Sequence, residues 1–302
     1  MKNIFCLFLL AVIFSSCEDF FSQTLEVEPP AHNDQMAISA FFTNAETDTT
    51  LKVLVARTTA ILDNPDQDTR NLDNASIELL SDGVLLTNIP TADNNENFGY
   101  NYKQDPNPVD FQSGQSYTLR VNHPDYEEAT ATITVPEEVA PFSLELEEDG
   151  GLDESGNRVD RVTIEFKDPV DQENFYEMSL FSIVTFGDNQ DTYIESHYVT
   201  SLDFNLQESF YGADLLSDET FNGQDYKLQL DINRYENEDT SYETFLIWRN
   251  VNKDYYEFAR SVRLQRDTEE NFGPFAEPVT IRANFSGGLG LFSINTEQVF
   301  PL

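Results

Sequence analysis

Short apolar segments separated by polar turn residues are the pattern that most restricts the fold of this chain. Residues 36–43 (MAISAFFT) and 51–58 (LKVLVART) are rich in branched and aromatic side chains, and turn-forming residues border both. Such runs predict β-strands. Comparable segments follow at 116–122, 129–135, 161–166, 176–186, 192–200, 226–232, 245–248 and 279–285. The sequence therefore predicts a mainly β protein.

Residues 76–88 contain the clearest hairpin signal. Asp82-Gly83 separates two apolar runs there, and Asp-Gly is a preferred pair for the two-residue turn that joins antiparallel strands. Together with the neighbouring segments, this hairpin favours an Ig-like or transthyretin-like β-sandwich over residues 35–137.

A proline-bracketed acidic connector, residues 136–141 (PEEVAP), places a domain boundary near residue 137. The second predicted domain, 138–302, is β-rich and carries one amphipathic helix near 252–265. Tyr255, Phe258 and Val262 recur there at spacings of three and four, and Asn252 is a suitable N-cap. Trp248 lies in the apolar run before this helix, so we expect it in the core.

The first sixteen residues have the layout of a secretory signal peptide. A positive charge at Lys2 precedes an apolar run at 4–14, and the small pair Ser15-Ser16 comes before Cys17. A stable membrane span needs about 20 apolar residues, so this run is too short to be one. We expect residues 1–16 to be removed.

The segment around Cys17 resembles the lipobox of bacterial lipoproteins, whose cysteine is diacylated on sulfur and acylated on nitrogen. Cys17 would then anchor the protein to a membrane, with residues 17–34 as a tether. Glu18 and Asp19 resemble the signal that exports lipoproteins of the Bacteroidetes to the outer face of the outer membrane. The alternative is a secreted protein with an incidental cysteine.

The charge of the chain restricts its partners. The chain has 17 basic and 55 acidic residues, a formal charge of −38, and loss of Lys2 with the signal changes −38 to −39. Nucleic acid is excluded as a partner because its binding requires a basic surface. Anionic lipid would also be repelled, so the acyl chains on Cys17 are the expected membrane contact.

The mature chain resembles DUF4249, a family of uncharacterised Bacteroidetes lipoproteins. The resemblance rests on the lipobox, on residues 114–121 (GQSYTLRV) with the Val135-Pro136 exit, and on YYEF at 255–258. The ending, FAEPV at 275–279 and GLGLF at 288–292, is its most specific part. The resemblance implies an accessory role beside a TonB-dependent outer-membrane transporter, and it carries no residue roles.

Sequence motifs for catalysis are absent. The chain contains no HExxH, GxSxG or P-loop motif, and histidines 32, 123 and 197 have no shared spacing. Paired carboxylates for glycoside hydrolysis depend on the fold and are not identifiable in a chain with 55 acids. No cofactor is expected.

Two loops rich in oxygen ligands are weak calcium candidates. They contribute Asp63, Asp66 and Asp68, and Asp149 and Asp153. Neither loop has the spacing of a helix–loop–helix calcium site, and solvated turns are the alternative we favour.

These observations lead us to expect a non-enzymatic, surface-exposed outer-membrane lipoprotein that assists a TonB-dependent transporter in nutrient uptake. A stand-alone glycan-binding or adhesive module is one alternative. A hydrolase that uses acidic residues is another.

We predict that Cys17→Ala releases the protein from membranes, because the substitution removes the sulfur that carries the anchor. Fractionation of cells into membrane and soluble material, followed by immunodetection, measures this. Cys6→Ala is the matched control, since Cys6 lies in the segment expected to be removed. Equal membrane retention of both variants would contradict the predicted anchor.

Overall fold

The structure, a computed structural model, describes residues 31–45, 50–60, 63, 67–92, 99–153, 155–187, 191–209, 212–234, 240–272, 277 and 279–302. Residues 1–16, Cys17, Glu18 and Asp19 lie outside these ranges, and so does Asp66. The described residues of Asp34–Thr58 and Asp66–Leu302 belong to one compact unit, whose architecture follows; residues 31–33, 59, 60 and 63 belong to a second.

The described residues confirm a mainly β fold with one long helix. The helices are α1 (Gln67–Arg70) and α2 (Lys253–Phe272), and Asp218–Thr220 forms a 3-10 turn. The strands are β1 (Met36–Thr43), β2 (Leu51–Arg57), β3 (Ser76–Ser81), β4 (Val84–Asn88), β5 (Tyr102–Gln104), β6 (Ser116–Asn122), β7 (Ala129–Thr134), β8 (Pro141–Leu152), β9 (Arg158–Lys167), β10 (Phe175–Phe186), β11 (Asp191–His197), β12 (Val199–Thr200), β13 (Leu206–Glu208), β14 (Asp214–Ser217), β15 (Asp225–Ile232), β16 (Thr240–Val251) and β17 (Leu289–Pro301). Among the described residues no helix is both long and apolar enough to cross a membrane.

One nine-stranded sheet contains strands from both ends of the chain. Its order is β13-β14-β10-β16-β17-β1-β2-β5, with β11 paired to β10. The last strand, β17, pairs in parallel with β1 and antiparallel with β16. Two four-stranded sheets, β12-β15-β9-β8 and β4-β3-β6-β7, complete the pairing.

Two main cores follow from strand alternation. In β1, Met36, Ile38, Ala40 and Phe42 are buried and the residues between them are not, as a half-buried strand requires. They belong to a cluster with strands β2, β3, β6 and β7. A second cluster joins β9, β10, β15 and β16. The first cluster also takes in Phe285 and, from β17, Phe292 and Ile294, so residues near the end of the chain complete the core of the predicted first sandwich.

Trp248 is a fully buried member of the second cluster, which confirms its predicted core position. Its indole Nε1 donates to the carbonyl of Val139 at 2.8 Å, and the backbone N–H of Val139 donates to Asn250 Oδ1 at 3.1 Å. The connector predicted from its prolines is thus fixed to β16. The division into domains at 35–137 and 138–302 stays a prediction.

The predicted hairpin is confirmed by its backbone. Asp82 and Gly83, between β3 and β4, have φ values of 51° and 75°. These are the left-handed conformations that a type I′ turn requires at both central positions.

The predicted strand at 279–285 is wrong, because this segment pairs with side chains of α2 instead of a sheet. The N–H of Val279 donates to Gln265 Oε1 at 2.8 Å, and the N–H of Arg282 donates to Ser261 Oγ at 3.0 Å. Helix α2 also extends past the predicted end to Phe272. Its predicted cap is confirmed, since Asn252 Oδ1 accepts the N–H of Tyr255 at 2.8 Å.

We predict that Gly290→Ala destabilises the protein by about 4 kcal/mol or more. Gly290 has a φ of +105°, and a Cβ there would lie 1.8 Å from the carbonyl oxygen of Ile38 on the paired strand β1. Gly187→Ala is the control: its φ is +69° and the space around it is open. We expect a loss of about 1 kcal/mol there. Urea unfolding measures both, and equal losses would contradict the close approach of β1 and β17.

Candidate functional site

Three adjacent strands place a row of charged side chains on one face of the nine-stranded sheet. Glu177 on β10 lies directly opposite Arg249 on β16, and Arg249 lies directly opposite Glu297 on β17. Arg249 Nη1 donates to Glu177 Oε1 at 2.7 Å, and its Nε donates to Glu297 Oε2 at 2.6 Å. One guanidinium therefore holds two carboxylates.

Helix α2 adds a phenol to this row. Asn252 caps the helix and fixes its first turn, from which the Tyr255 O–H donates to Glu177 Oε2 at 2.6 Å. The ring of Tyr255 meets that of Phe41 edge-on, with centroids 5.9 Å apart. Both oxygens of Glu177 are therefore hydrogen-bonded by side chains from two different elements.

The row is largely removed from water. Glu177 is 2% exposed and the Arg249 side chain 26%. Desolvation alone would lower the pKa of Arg249, but the negative charges of Glu177 and Glu297 and their hydrogen bonds raise it above its usual value. Removing one partner of such a pair leaves a buried charge uncompensated, at a cost of about 3–5 kcal/mol. Loss of any one of these side chains would therefore destabilise the fold.

Two cavities share this row as a wall, because Glu177, Arg249 and Tyr255 line both. The larger, of about 480 Å³, extends along β10 and β11 past Phe181 to Ile194. The smaller, of about 330 Å³, lies towards β1 and β17. Glu177 accepts hydrogen bonds from Arg249 and Tyr255 at the wall of both cavities, and Glu297, which lines the smaller one, accepts from Arg249.

An apolar sheet face continues from the larger cavity. The cross-strand pairs Ile183–Ile194, Phe181–Phe245 and Ile247–Val299 lie on the same side of the sheet as the charged row. We call these six residues the open sheet face. Ile194 is 71% exposed and Val299 45%, and the other four are partly buried. The rings of Phe181 and Phe245 stack at 5.2 Å.

The chain around this face is acidic. Between Lys167 and Lys227 the sequence has no Lys or Arg and contains 13 Asp and Glu residues. Strands β10 and β11, which carry half of the open sheet face, lie within that stretch. Half of the open sheet face is therefore carried by a segment that is rich in acidic residues.

Asp214, on the β14 strand beside β10, titrates near neutrality. It pairs in register with Met178 and with Glu208, and it is 8% exposed. Burial raises the pKa of Asp214 to about 7, and the charges of Glu208 and Glu177 add to this effect. Desolvation and nearby like charges both disfavour the ionised carboxylate.

The structure brings one of the three histidines to a serine, which sequence spacing gave no sign of. His197 Nε2 and Ser182 Oγ are 2.7 Å apart, and Ser182 Oγ is 2.8 Å from Thr244 Oγ1. Burial lowers the pKa of His197. Ser182 is 0% exposed, so this array packs the sheet and offers no surface to a substrate. His123 begins the turn after β6, where its Nδ1 accepts the N–H of Asp125 at 3.2 Å and its carbonyl accepts the N–H of Tyr126 at 3.2 Å.

Of the candidates in the second loop, Asp153 takes a turn position and Asp149 lies in the irregular part of β8. Asp153 Oδ1 accepts the N–H groups of Ser155 at 2.9 Å and Asn157 at 2.7 Å, and the Asn157 side chain donates to Oδ2. These bonds, the side-chain one foremost, lower the pKa of Asp153. Asp149 has a φ of 55°. In the part of the chain that the structure describes, no group of three His, Cys, Asp or Glu side chains could hold a metal ion.

The remaining candidates are only partly visible. Asp63 is exposed, and its N–H donates to the carbonyl of Ala60 at 2.9 Å. Asp68 belongs to α1, and its side chain is outside the described part; Asp66, Cys17, Glu18 and Asp19 are wholly outside it.

Sequence reasoning missed the charged row. One signal was available: Arg249 directly follows the apolar run FLIW at 245–248, and Glu177 interrupts the run FY-MSLF at 175–181. A charge on a half-buried strand face needs a partner. The partner depends on which strands are paired in the sheet, and the local sequence does not reveal that pairing.

Comparison with known proteins gives one family. The family model described as "Domain of unknown function (DUF4249)" matches residues 22–299. No curated protein matches the chain.

We predict that Asp214→Asn removes a pH dependence of stability. The pKa of Asp214 is higher in the folded state, about 7, than its ordinary value of 3.8. Its stabilising contribution is therefore complete below pH 3.8 and is lost as the pH rises through 7. Between pH 5 and pH 8 the wild-type protein should lose on the order of 2 kcal/mol relative to the variant.

Urea unfolding of both proteins at the two pH values measures this difference. Asp225→Asn, a change at an exposed aspartate on β15, is the control and should follow the wild type. Parallel pH profiles for wild type and Asp214→Asn would refute the assignment.

Proposed function

The chain belongs to the DUF4249 family, a domain of unknown function, and from this premise we propose that it is a non-enzymatic accessory protein that docks on an outer-membrane transporter through its open sheet face. The transporter we propose is of the TonB-dependent class, and the shared role is nutrient uptake. The observation that carries the proposal is the apolar sheet face that ends at Ile194 and Val299.

This face has the composition of a docking surface. Apolar side chains from four strands adjoin one another there, and contiguous exposed apolar area on a soluble domain marks an interaction site. The cavity of about 480 Å³ between Ile194 and Arg249 is a pocket that an anchoring side chain of a partner could fill.

Charge favours a protein partner over the lipid surface. The stretch without Lys or Arg, 168–226, would be repelled by anionic head groups. It is complementary to a protein whose apolar patch is bordered by basic residues. We therefore assign the membrane contact to acyl chains on Cys17 and the sheet face to the transporter.

The proposed anchor makes modest affinity sufficient. A protein held on the outer face of the outer membrane by Cys17 meets a transporter in the same membrane at a high effective concentration. A sheet face with two strongly exposed apolar side chains then needs no large interface.

We predict that the double change Ile194→Asp, Val299→Asp lowers recovery of the transporter at least about tenfold, because it places charges at the centre of the interface. The measurement is purification of the full chain from mild detergent, with identification of co-purified proteins by mass spectrometry. Phe142→Asp is the control: Phe142 is also exposed, at 62%, and lies on β8.

Recovery of a TonB-dependent transporter with wild type and control but not with the double variant supports the proposal. Equal recovery with all three proteins refutes the assigned surface. If the wild type recovers no transporter and binds glycans on an array, the protein is a stand-alone adhesive module and the proposal fails.

A further inference from the structure

A second surface of α2 carries a different kind of site. A groove of about 600 Å³ lies between α2, β13 and the segment 279–282. Three arginines line it, Arg260, Arg263 and Arg282, and we call it the arginine groove. It shares no residue with the open sheet face, and the inference below does not depend on the proposed docking function.

The walls of this groove are fixed. Gln265 and Ser261 hold the backbone of Val279 and Arg282 against the helix through hydrogen bonds of 2.8 and 3.0 Å. The segment 279–282 therefore forms one wall and α2 the floor.

Two of the arginines are neutralised by carboxylates within the groove. Arg263 is 2.9 Å from Glu208 and 3.0 Å from Asp267, and Arg282 is 3.2 Å from Glu257. These pairs place guanidinium and carboxylate groups side by side along the lining. A ligand that carried many like charges would be repelled by one set or the other.

Arg260 is different, because it has no carboxylate partner in the described part of a chain with 55 acidic residues. Its guanidinium lies over the ring of Tyr256 at 5.4 Å from the centroid. A ring face positions the guanidinium without taking its N–H donors in the way that a carboxylate would. Among the described residues, the groove thus presents one cation without a carboxylate partner.

We propose that the arginine groove binds an acidic sugar, a uronate unit within an oligosaccharide, with its carboxylate on Arg260. A guanidinium binds one carboxylate through two parallel hydrogen bonds. Sugar hydroxyls both donate and accept hydrogen bonds, so they can pair with the carboxylates of Glu208 and Glu257 as well as with Arg263 and Arg282. A peptide with several acidic residues would instead place its carboxylates against those glutamates.

The test is calorimetric titration of the full chain in mild detergent with the trisaccharides of galacturonate, guluronate and mannuronate. Wild type should bind at least one of them, and its fully methyl-esterified form should bind at least about tenfold more weakly, because it keeps the hydroxyls and loses the charge. Arg260→Gln should weaken binding of the acid by about tenfold or more. Lys167→Gln, an equal charge change at an exposed residue on β9, should leave it unchanged.

Thermal melts separate a lost contact from a lost fold: Arg260 is exposed, so Arg260→Gln should melt within a few degrees of wild type. Absence of binding of all three trisaccharides at millimolar concentration overturns the proposal. So does equal binding by wild type and Arg260→Gln, or equal binding of acid and ester. Tighter binding of tri-glutamate than of any trisaccharide would assign the groove to an acidic peptide and overturn it too.

Discussion

The pairing of β17 is the constraint on which the rest of the structure depends. Residues 289–295 pair in parallel with β1, and residues 296–301 pair antiparallel with β16. One strand of 13 residues therefore joins the earliest described strand to the second core. The parallel half is possible only because Gly290, with no Cβ, lets the carbonyl of Ile38 approach. Parallel neighbours distant in sequence are costly to bring together, so the surrounding cores must stabilise this contact.

The charged row is a consequence of that pairing. Arg249 has a carboxylate on both sides because β16 lies between β10 and β17, and a one-residue shift of β16 would turn Arg249 to the core. The same alternation puts Ile247 and Val299 on the outer face. The same strand register therefore places both the charged row and the open sheet face. Helix α2 contacts the charged row through Tyr255.

Local elements were predictable from sequence and long-range ones were not. The segments 36–43 and 116–122 have the predicted bounds, and Asp82-Gly83 forms the predicted turn, because alternation and turn chemistry are local properties. The segment 279–285 reads as a strand by composition but bonds to Gln265 and Ser261, which no pattern within the segment encodes. The charged row was hidden for the same reason: its members are separated by 72 and 48 positions.

Because acidic residues are in large excess, a basic residue of this chain is expected to have a carboxylate partner. With 17 Lys and Arg against 55 Asp and Glu, most arginines can be neutralised within the fold, as Arg249 is by two glutamates. Burial of such a pair is compensated only when its hydrogen bonds are complete, and Tyr255 completes those of Glu177. Arg260 departs from this arrangement: its contact is an aromatic ring, which orients the cation without neutralising it. Tyr256 beside Arg260 leaves this guanidinium, at the surface of α2, without a carboxylate partner among the described residues.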